Sequence, residues 1–435
     1  MSHYTRTKKS YNKKMSEIRK ILQRNTFSEH LVQVGRLTSA GKKVSYIRGE
    51  NSDYESRGYR MYNFDTFPNR RNTNCVKWDE APEGVIPMWV ADMDFCTAPP
   101  IVEALEKRAS HPCFGYPNGD SQWLKELVAK HYEKVYQVKV ETEWIVWVPS
   151  VIPGVVAALQ MAGGTFMYSV PMYNHIRTLY KEAKLPVIEV PLKKDADSRF
   201  SMDIPAMEAA LTPDVKSVIL CNPHNPVGRV YTRAELEELQ QFCKKHHLLL
   251  ISDEIHCELA LDQKHIPYFA VNGESSVYSV TLSSAGKICN IPGLPMGFAI
   301  IPDRALREAF ISQQDGLLPS GNVLTLAAYE KAYDGSCDAW KKELRERLVA
   351  NRDLVDQWVS GVPGITAPHN EGTYLAWLDC SALGLEDPAE FFEKKAGVMV
   401  SPGEIYGDSQ CVRLNYGCPE AQLREALERM KKAVL

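Results

Sequence analysis

Three short apolar runs in this sequence each end in residues able to do chemistry. Ser217–Cys221 leads into Asn222-Pro223-His224-Asn225-Pro226-Val227-Gly228. Leu248–Ile251 leads into Ser252-Asp253-Glu254-Ile255-His256, and Val277–Thr281 into Leu282-Ser283-Ser284-Ala285-Gly286-Lys287. An arginine, Arg413, alternates with apolar neighbours in Cys411–Tyr416. Together they supply an amide, a carboxylate, hydroxyls, an amine and a guanidinium. A lysine amine can form an imine with an aldehyde. A carboxylate beside a pyridine nitrogen keeps it protonated, so that the ring draws electrons. Amide and hydroxyl groups can serve a ring oxygen and a phosphate, and an arginine fork suits a substrate carboxylate. These are the requirements of a pyridoxal-phosphate site.

Each residue alone has a plainer explanation. A lysine at a strand end is usually a surface side chain with a buried stem. Asp253 would serve as a loop acid or helix cap, and Asn225, between His224 and Pro226, as a turn residue. Arg413 would form a strand-edge salt bridge. Gly286-Lys287 does not complete a phosphate-binding P-loop, because Thr281 stands where a glycine is required and Ile288 where Ser or Thr is required. It is the order and spacing of the set that carries the reading.

Those residues need a scaffold. The strand runs contain few alternating polar residues, so they predict strands covered on both faces, as in a mostly parallel α/β sheet flanked by helices. Helices are expected at 101–110, 121–136, 153–162, 232–246, 322–334, 339–359 and 420–433. Thr232 and Glu235 form a capping-box pattern, and Pro419 suits a first helical position. Leu423, Ala426, Leu427 and Met430 fall on one face of the last helix and read as core. In open α/β sheets ligands bind beyond the carboxyl ends of the strands, where the chemical residues lie.

Bulk properties narrow the class. The chain has 435 residues, 44% hydrophobic and 24% charged, enough for two domains. No apolar run approaches the length of a membrane span, and nothing at the start resembles a secretory signal. The net charge is −3, but residues 1–60 carry +9 and the remainder −12. The basic part is therefore a leader, read as a solvated extension, with a binding arm or a transit peptide as alternatives. Met61 is a candidate start. The 11 cysteines are scattered, without the spacing of a zinc site, and fit a reducing cytoplasm. No metal and no nucleic-acid partner are expected.

The sequence resembles the fold-type-I pyridoxal-phosphate enzymes of the aspartate-aminotransferase superfamily, and within it the cystathionine β-lyase branch of carbon–sulfur lyases. The resemblance spans residues 61–435. It is carried by Pro87-Met88-Trp89-Val90-Ala91-Asp92-Met93-Asp94-Phe95, Phe114-Gly115-Tyr116, Asn222–Arg229, Ser252–His256, Glu371-Gly372-Thr373-Tyr374-Leu375 and Val412-Arg413-Leu414-Asn415. It implies a large domain, 100–336, around a seven-stranded, mostly parallel sheet. It also implies a smaller α/β domain built from 61–99 and 337–435. By the same resemblance Lys287 is the Schiff-base lysine and proton shuttle, and Asp253 pairs with the pyridine nitrogen. Asn225 serves the ring hydroxyl oxygen with His256 nearby, and Tyr173 stacks on the ring. Ser284 and the backbone at Val151 and Ile152 bind phosphate, Tyr116 reaches the phosphate of a neighbouring subunit in a homodimer, and Arg413 grips the substrate carboxylate.

Three departures stand out. Gly286 replaces a serine usual before the lysine, so one phosphate contact is in doubt. The stretch from Pro153 to Tyr173 is shorter than usual by about three residues around Ala162-Gly163-Gly164. Asn174-His175-Ile176-Arg177 replaces prolines after the stacking tyrosine, either as a helix start capped by Asn174 or as a determinant of substrate choice. The branch resemblance implies α,β-elimination of a sulfur amino acid such as L-cystathionine to a thiol, pyruvate and ammonia. An aminotransferase, sharing the same carbanion, and a regulatory binding protein on the same fold are the alternatives.

Overall fold

The computed structural model describes residues 62–117, 120–272, 278–315 and 321–435; the basic leader and Met61 lie outside the described residues. The described residues pack as one unit.

Seven short apolar segments make the central sheet. They are β1 (Ile145–Val148), β2 (Thr165–Val170), β3 (Val187–Pro191), β4 (Val215–Cys221), β5 (Leu249–Asp253), β6 (Ser279–Ser283) and β7 (Gly297–Ile300). Their order is β1-β7-β6-β5-β4-β2-β3. Pairings from β6 through β3 are parallel, whereas β7 runs antiparallel to both neighbours, β1 and β6. The run at Phe298–Ile301 had read like the others because β7 is also buried throughout; burial on two faces, not strand direction, erases the alternation. The strand expected at 277–281 is seen at 279–283, with residue 277 outside the described set.

The expected helices are present: α1 (Pro99–Ala109), α2 (Gln122–Tyr136), α3 (Val151–Ala162), α6 (Arg233–Lys245), α8 (Val323–Tyr333), α9 (Asp338–Ser360) and α10 (Glu420–Val434). Also present are α4 (Asn174–Glu182), where a helix start was one of the two readings, and α5 (Ile204–Ala210) and α7 (Arg304–Gln314), which were not anticipated. The last two had a readable start, since Asp203 and Asp303 each accept a backbone N–H three residues on. The Thr232–Glu235 capping box forms with both reciprocal bonds. Two local expectations are corrected. Pro419 is the N-cap of α10 and not its first residue, and its ψ of 141° keeps it extended. Asn174 does not cap α4; the cap is Tyr173, with no side-chain bond, and Asn174 is already helical.

Against this layer lies a three-stranded antiparallel sheet, β8 (Leu375–Asp379), β9 (Ser401–Pro402) and β10 (Cys411–Asn415), with β10 in the middle. Residues 86–87 pair in parallel with 398–399, joining distant parts of the chain. Asn415 Nδ2 donates to the Asp92 carbonyl at 2.6 Å, and Gln422 Nε2 to Asp94 Oδ2 at 2.9 Å. The buried Asp94 also receives Lys77 Nζ at 2.9 Å and Arg70 Nη1 at 2.6 Å. A carboxylate so deeply buried requires such partners, and they hold its pKa down despite burial. The segment at 88–95 is thereby held over the carboxyl ends of the central strands.

Candidate active site

Strand register brings the chemical residues together. Cys221, Asp253 and Leu282 are aligned neighbours across β4, β5 and β6, so all three strands end at one edge. There a cavity of about 240 Å³ is lined by Tyr173, Asn225, Asp253, His256, Ser284 and Lys287, with Val151 and Ile152 at the start of α3. Eight of the ten residues singled out in the sequence therefore line one space.

Lys287 sits four residues past β6. Its Nζ donates to the Ala91 carbonyl at 2.6 Å, an oxygen that also accepts from Tyr374 OH at 2.8 Å. Burial, then the nearby Arg413 cation, bring its pKa down to about 8, against the opposing pull of Asp92 and Asp253. Asp253 is buried, and its Oδ1 accepts a hydrogen bond from Ile255 N at 3.1 Å. Burial pushes its carboxyl up to about 6. It has no ion pair among the described residues, so an anion faces the cavity awaiting a cation. His256 is buried with Nδ1 unpartnered, and burial plus Lys287 and Arg413 keep it neutral.

Asn225 is fixed by its carbonyl end, where Oδ1 accepts from Arg413 Nη1 at 3.1 Å, so its amide N–H groups are free to serve a ligand oxygen. The loop that carries it turns at Gly228, whose φ is +71° and where a Cβ would lie 2.6 Å from Asn370 Cγ. Arg413 lies on β10 and not among the cavity-lining residues, but it adjoins them through Asn225. It stands on the central strand and forms no ion pair among the described residues, so the strand-edge salt bridge does not occur. Its Nη2 donates to the Trp89 carbonyl at 2.9 Å, its guanidinium lies 4.7 Å from the Tyr406 ring centroid, and Nε is buried without a partner. A buried cation held only by neutral groups calls for an external carboxylate.

Ser284 Oγ lines the cavity but is bonded within the protein, to the Met296 carbonyl at 2.8 Å and Tyr329 OH at 2.7 Å. The α3 N-terminus begins at Val151 after Ser150, whose side chain forms no cap bond, leaving the first backbone N–H groups without helical partners. Tyr116 is not part of its own chain's cavity; it is fully exposed, close in sequence to the exposed Phe114. At Gly286 a Cβ would meet Ser284 Oγ at 3.2 Å, so a side chain there would point at the same hydroxyl. The shortened stretch is accommodated where α3 runs into β2 through Gly163 and Gly164 alone.

Sequence reasoning missed Ala91, Tyr329 and Met296 in the lining. Tyr329 lies in a helix whose pattern reads as core, and nothing in its spacing distinguished it from Tyr333. Ala91 lay inside a segment already singled out, where its carbonyl, not its side chain, is the functional atom.

The donor set suits pyridoxal phosphate: a partly buried amine of low pKa, a buried carboxylate without a cation, free amide N–H groups and a helix N-terminus share one cavity. Among the described residues no group of three His, Cys, Asp or Glu is placed to hold a metal ion.

The model of the family described as aminotransferase class I and II matches residues 83–430. The chain is 36% identical to cystathionine beta-lyase PatB of Bacillus subtilis (strain 168), over 86% of this chain and all of that protein. It is 32% identical to Protein MalY of Escherichia coli (strain K12), over 86% of this chain and 99% of that protein. Among solved structures, cystalysin from Treponema denticola, which contains a pyridoxal 5'-phosphate cofactor, superposes with a TM-score of 0.80 at 29% identity. That match covers 86% of this chain and 98% of the other.

Proposed function

Because the chain belongs to the aminotransferase class I and II family, we propose that it is a pyridoxal-phosphate-dependent carbon–sulfur β-lyase. Its substrates in this reading are L-cystathionine and related cysteine S-conjugates, cleaved to a thiol, pyruvate and ammonia. The observation that carries it is the pairing of a low-pKa lysine with a buried, cation-free carboxylate in one cavity, beside a buried arginine without a counter-ion.

Pyridoxal phosphate, when bound, supplies an aldehyde for amino groups and a conjugated ring that takes up the electron pair left at an α-carbon. Lys287 would hold the cofactor and, as a free amine, would move the proton at the substrate α-carbon; a pKa of about 8 leaves it free base often enough to do both near neutrality. The Asp253 carboxylate would pair with the pyridine nitrogen. Asn225 would donate to the ring oxygen with neutral His256 near it, and Tyr173 would cover the ring. Val151, Ile152 and Ser284 would hold the phosphate. Arg413 binds the substrate carboxylate and so fixes which α-bond Lys287 meets. The balance is that the α C–H, β C–S and α C–N bonds break, one water supplies the keto oxygen, protons pass to the sulfur and the β-carbon, and thiol, pyruvate and ammonium leave.

Support for elimination comes from the cystathionine beta-lyase name of a relative 36% identical over its full length. Transamination is the second reading, because the matching family is described as aminotransferase and needs the same residues. Cystathionine supplied without any keto acid separates them: a lyase releases pyruvate continuously, while an aminotransferase stops after one half-reaction.

The reading extends to assembly and organisation. It takes residues 100–336 as the cofactor domain, and 61–99 with 337–435 as a small domain. Exposed Tyr116 belongs to the partner's phosphate site in a homodimer. Mixing the inactive Lys287→Ala and Tyr116→Phe variants should then restore activity by forming hybrid dimers with one complete site; no recovery on mixing would count against the shared site. No helix among the described residues is long and apolar enough to cross a membrane. The 11 cysteines are all free, which suits a reducing cytoplasm.

A further inference from the structure

Ser284, Met296 and Tyr329 form a closed triangle at the cavity wall, and its protons can be counted. The Met296 carbonyl accepts from Ser284 Oγ at 2.8 Å and from Tyr329 OH. The two hydroxyl oxygens lie 2.7 Å apart, and Gly286 N donates to Ser284 Oγ at 3.0 Å. Three contacts thus share two hydroxyl protons, so one contact is always without a proton. If Tyr329 alone caps the Met296 carbonyl, the Ser284 proton becomes free to turn into the cavity.

The triangle adjoins the helix N-terminus. Gly297, next to Met296, is packed so closely that a Cβ would lie 3.1 Å from the Ser283 carbonyl and 3.5 Å from the Ser150 carbonyl carbon. Ser150, Val151, Ile152, Ser284, Met296 and Tyr329 all line the cavity. Lys287 is the sole cationic side chain among the described lining residues, and residue 286 offers no hydroxyl. An anion here depends on a few neutral donors.

We propose that Tyr329 is a positioning residue for the cofactor phosphate: its hydroxyl satisfies the buried Met296 carbonyl and so releases the Ser284 proton to the anion. This rests on the pyridoxal-phosphate reading above. Without the Tyr329 hydroxyl, the Ser284 proton must choose between the carbonyl and the phosphate, and leaving either unsatisfied is unfavourable.

The test uses full-length apo-protein: wild type, Tyr329→Phe, Ser284→Ala and the double variant. Each is titrated with pyridoxal phosphate and with pyridoxal, which lacks the phosphate, reading the yellow chromophore. Tyr329→Phe should weaken pyridoxal phosphate by about ten-fold, the worth of one hydrogen bond to an anion, and leave pyridoxal unchanged. In the Ser284→Ala background the same change should add less than about two-fold, since no proton remains to be released. Tyr329→His, which keeps a ring N–H, is the second variant and should bind the phosphate form more tightly than Tyr329→Phe. Equal loss for both ligands, no loss, or full additivity with Ser284→Ala would overturn the proposal. Wild-type protein that forms no chromophore with either ligand would instead remove the cofactor reading, and the inference with it.

Discussion

Capture of the cofactor by apo-protein should follow the ionisation of Lys287, because only the neutral amine attacks an aldehyde. With a pKa of about 8, about one amine in eleven is neutral at pH 7. At the ordinary value of 10.5 it would be about one in three thousand, so burial and Arg413 raise the reactive fraction roughly 300-fold. The rate of chromophore growth, followed by stopped flow and divided by that of a simple lysine derivative of known pKa (compared as free amines), should rise about ten-fold per unit from pH 6 to 7. From pH 8 to 9 it should rise less than about two-fold. Below about pH 6 the slope should steepen, because Asp253, also raised by burial, takes up a proton and the anion meant for the ring nitrogen is lost. Arg413→Met removes the second cause of the low lysine pKa and should move the bend to higher pH, while burial, the largest cause, remains. Asp253→Asn removes an opposing influence and should move the bend lower. A rate still climbing ten-fold per unit beyond about pH 9, or a bend moved downward by Arg413→Met, would refute this account of the lysine.

Other consequences follow from the same geometry. Lys287→Ala should abolish the yellow chromophore and reduce turnover at least about a thousand-fold, with unfolding of the apo-protein little changed. Arg413→Met should cut kcat/KM by about a hundred-fold or more for a free amino acid and far less for its carboxamide, since only the carboxylate needs the buried cation. Gly286→Ser should fold, because Ser284 Oγ, at 3.2 Å from the new Cβ, needs to give by only about a few tenths of an ångström, and it should tighten pyridoxal phosphate a few-fold in equilibrium titration. Gly228→Ala should destabilise the protein by more than about 1 kcal/mol in denaturant melts, given a φ of +71° and a Cβ 2.6 Å from Asn370 Cγ.

The central sheet was legible where strands were buried on both faces and bounded by polar residues, as at β4, β5 and β6. The strands β1, β2 and β3 went unread because their apolar runs merge into neighbouring helices or are only partly buried, as β3 is. The direction of β7 was illegible, since a covered antiparallel strand has the composition of a parallel one. Most of the polar groups that line the cavity could be singled out in the sequence because strand ends concentrate them at one edge. The Ala91 carbonyl was not, because a backbone atom leaves no trace in residue type. Tyr329 was hidden by a helix in which an aromatic reads as packing. Arg413 was visible as a candidate, but its lack of a carboxylate partner was not, because that is a property of three dimensions.

The contact between Arg413 and the Trp89 carbonyl spans 324 residues of chain. This contact therefore cannot form during synthesis until the strand carrying Arg413 has left the ribosome, after all seven strands of the central sheet. Such long-range closure slows folding and leaves the segment at 88–95 without its cover during synthesis. Ribosome-stalled chains ending before residue 411 should accordingly expose that segment to protease, and chains released at full length should protect it. Protection appearing before β10 has emerged would mean that another element closes the roof first.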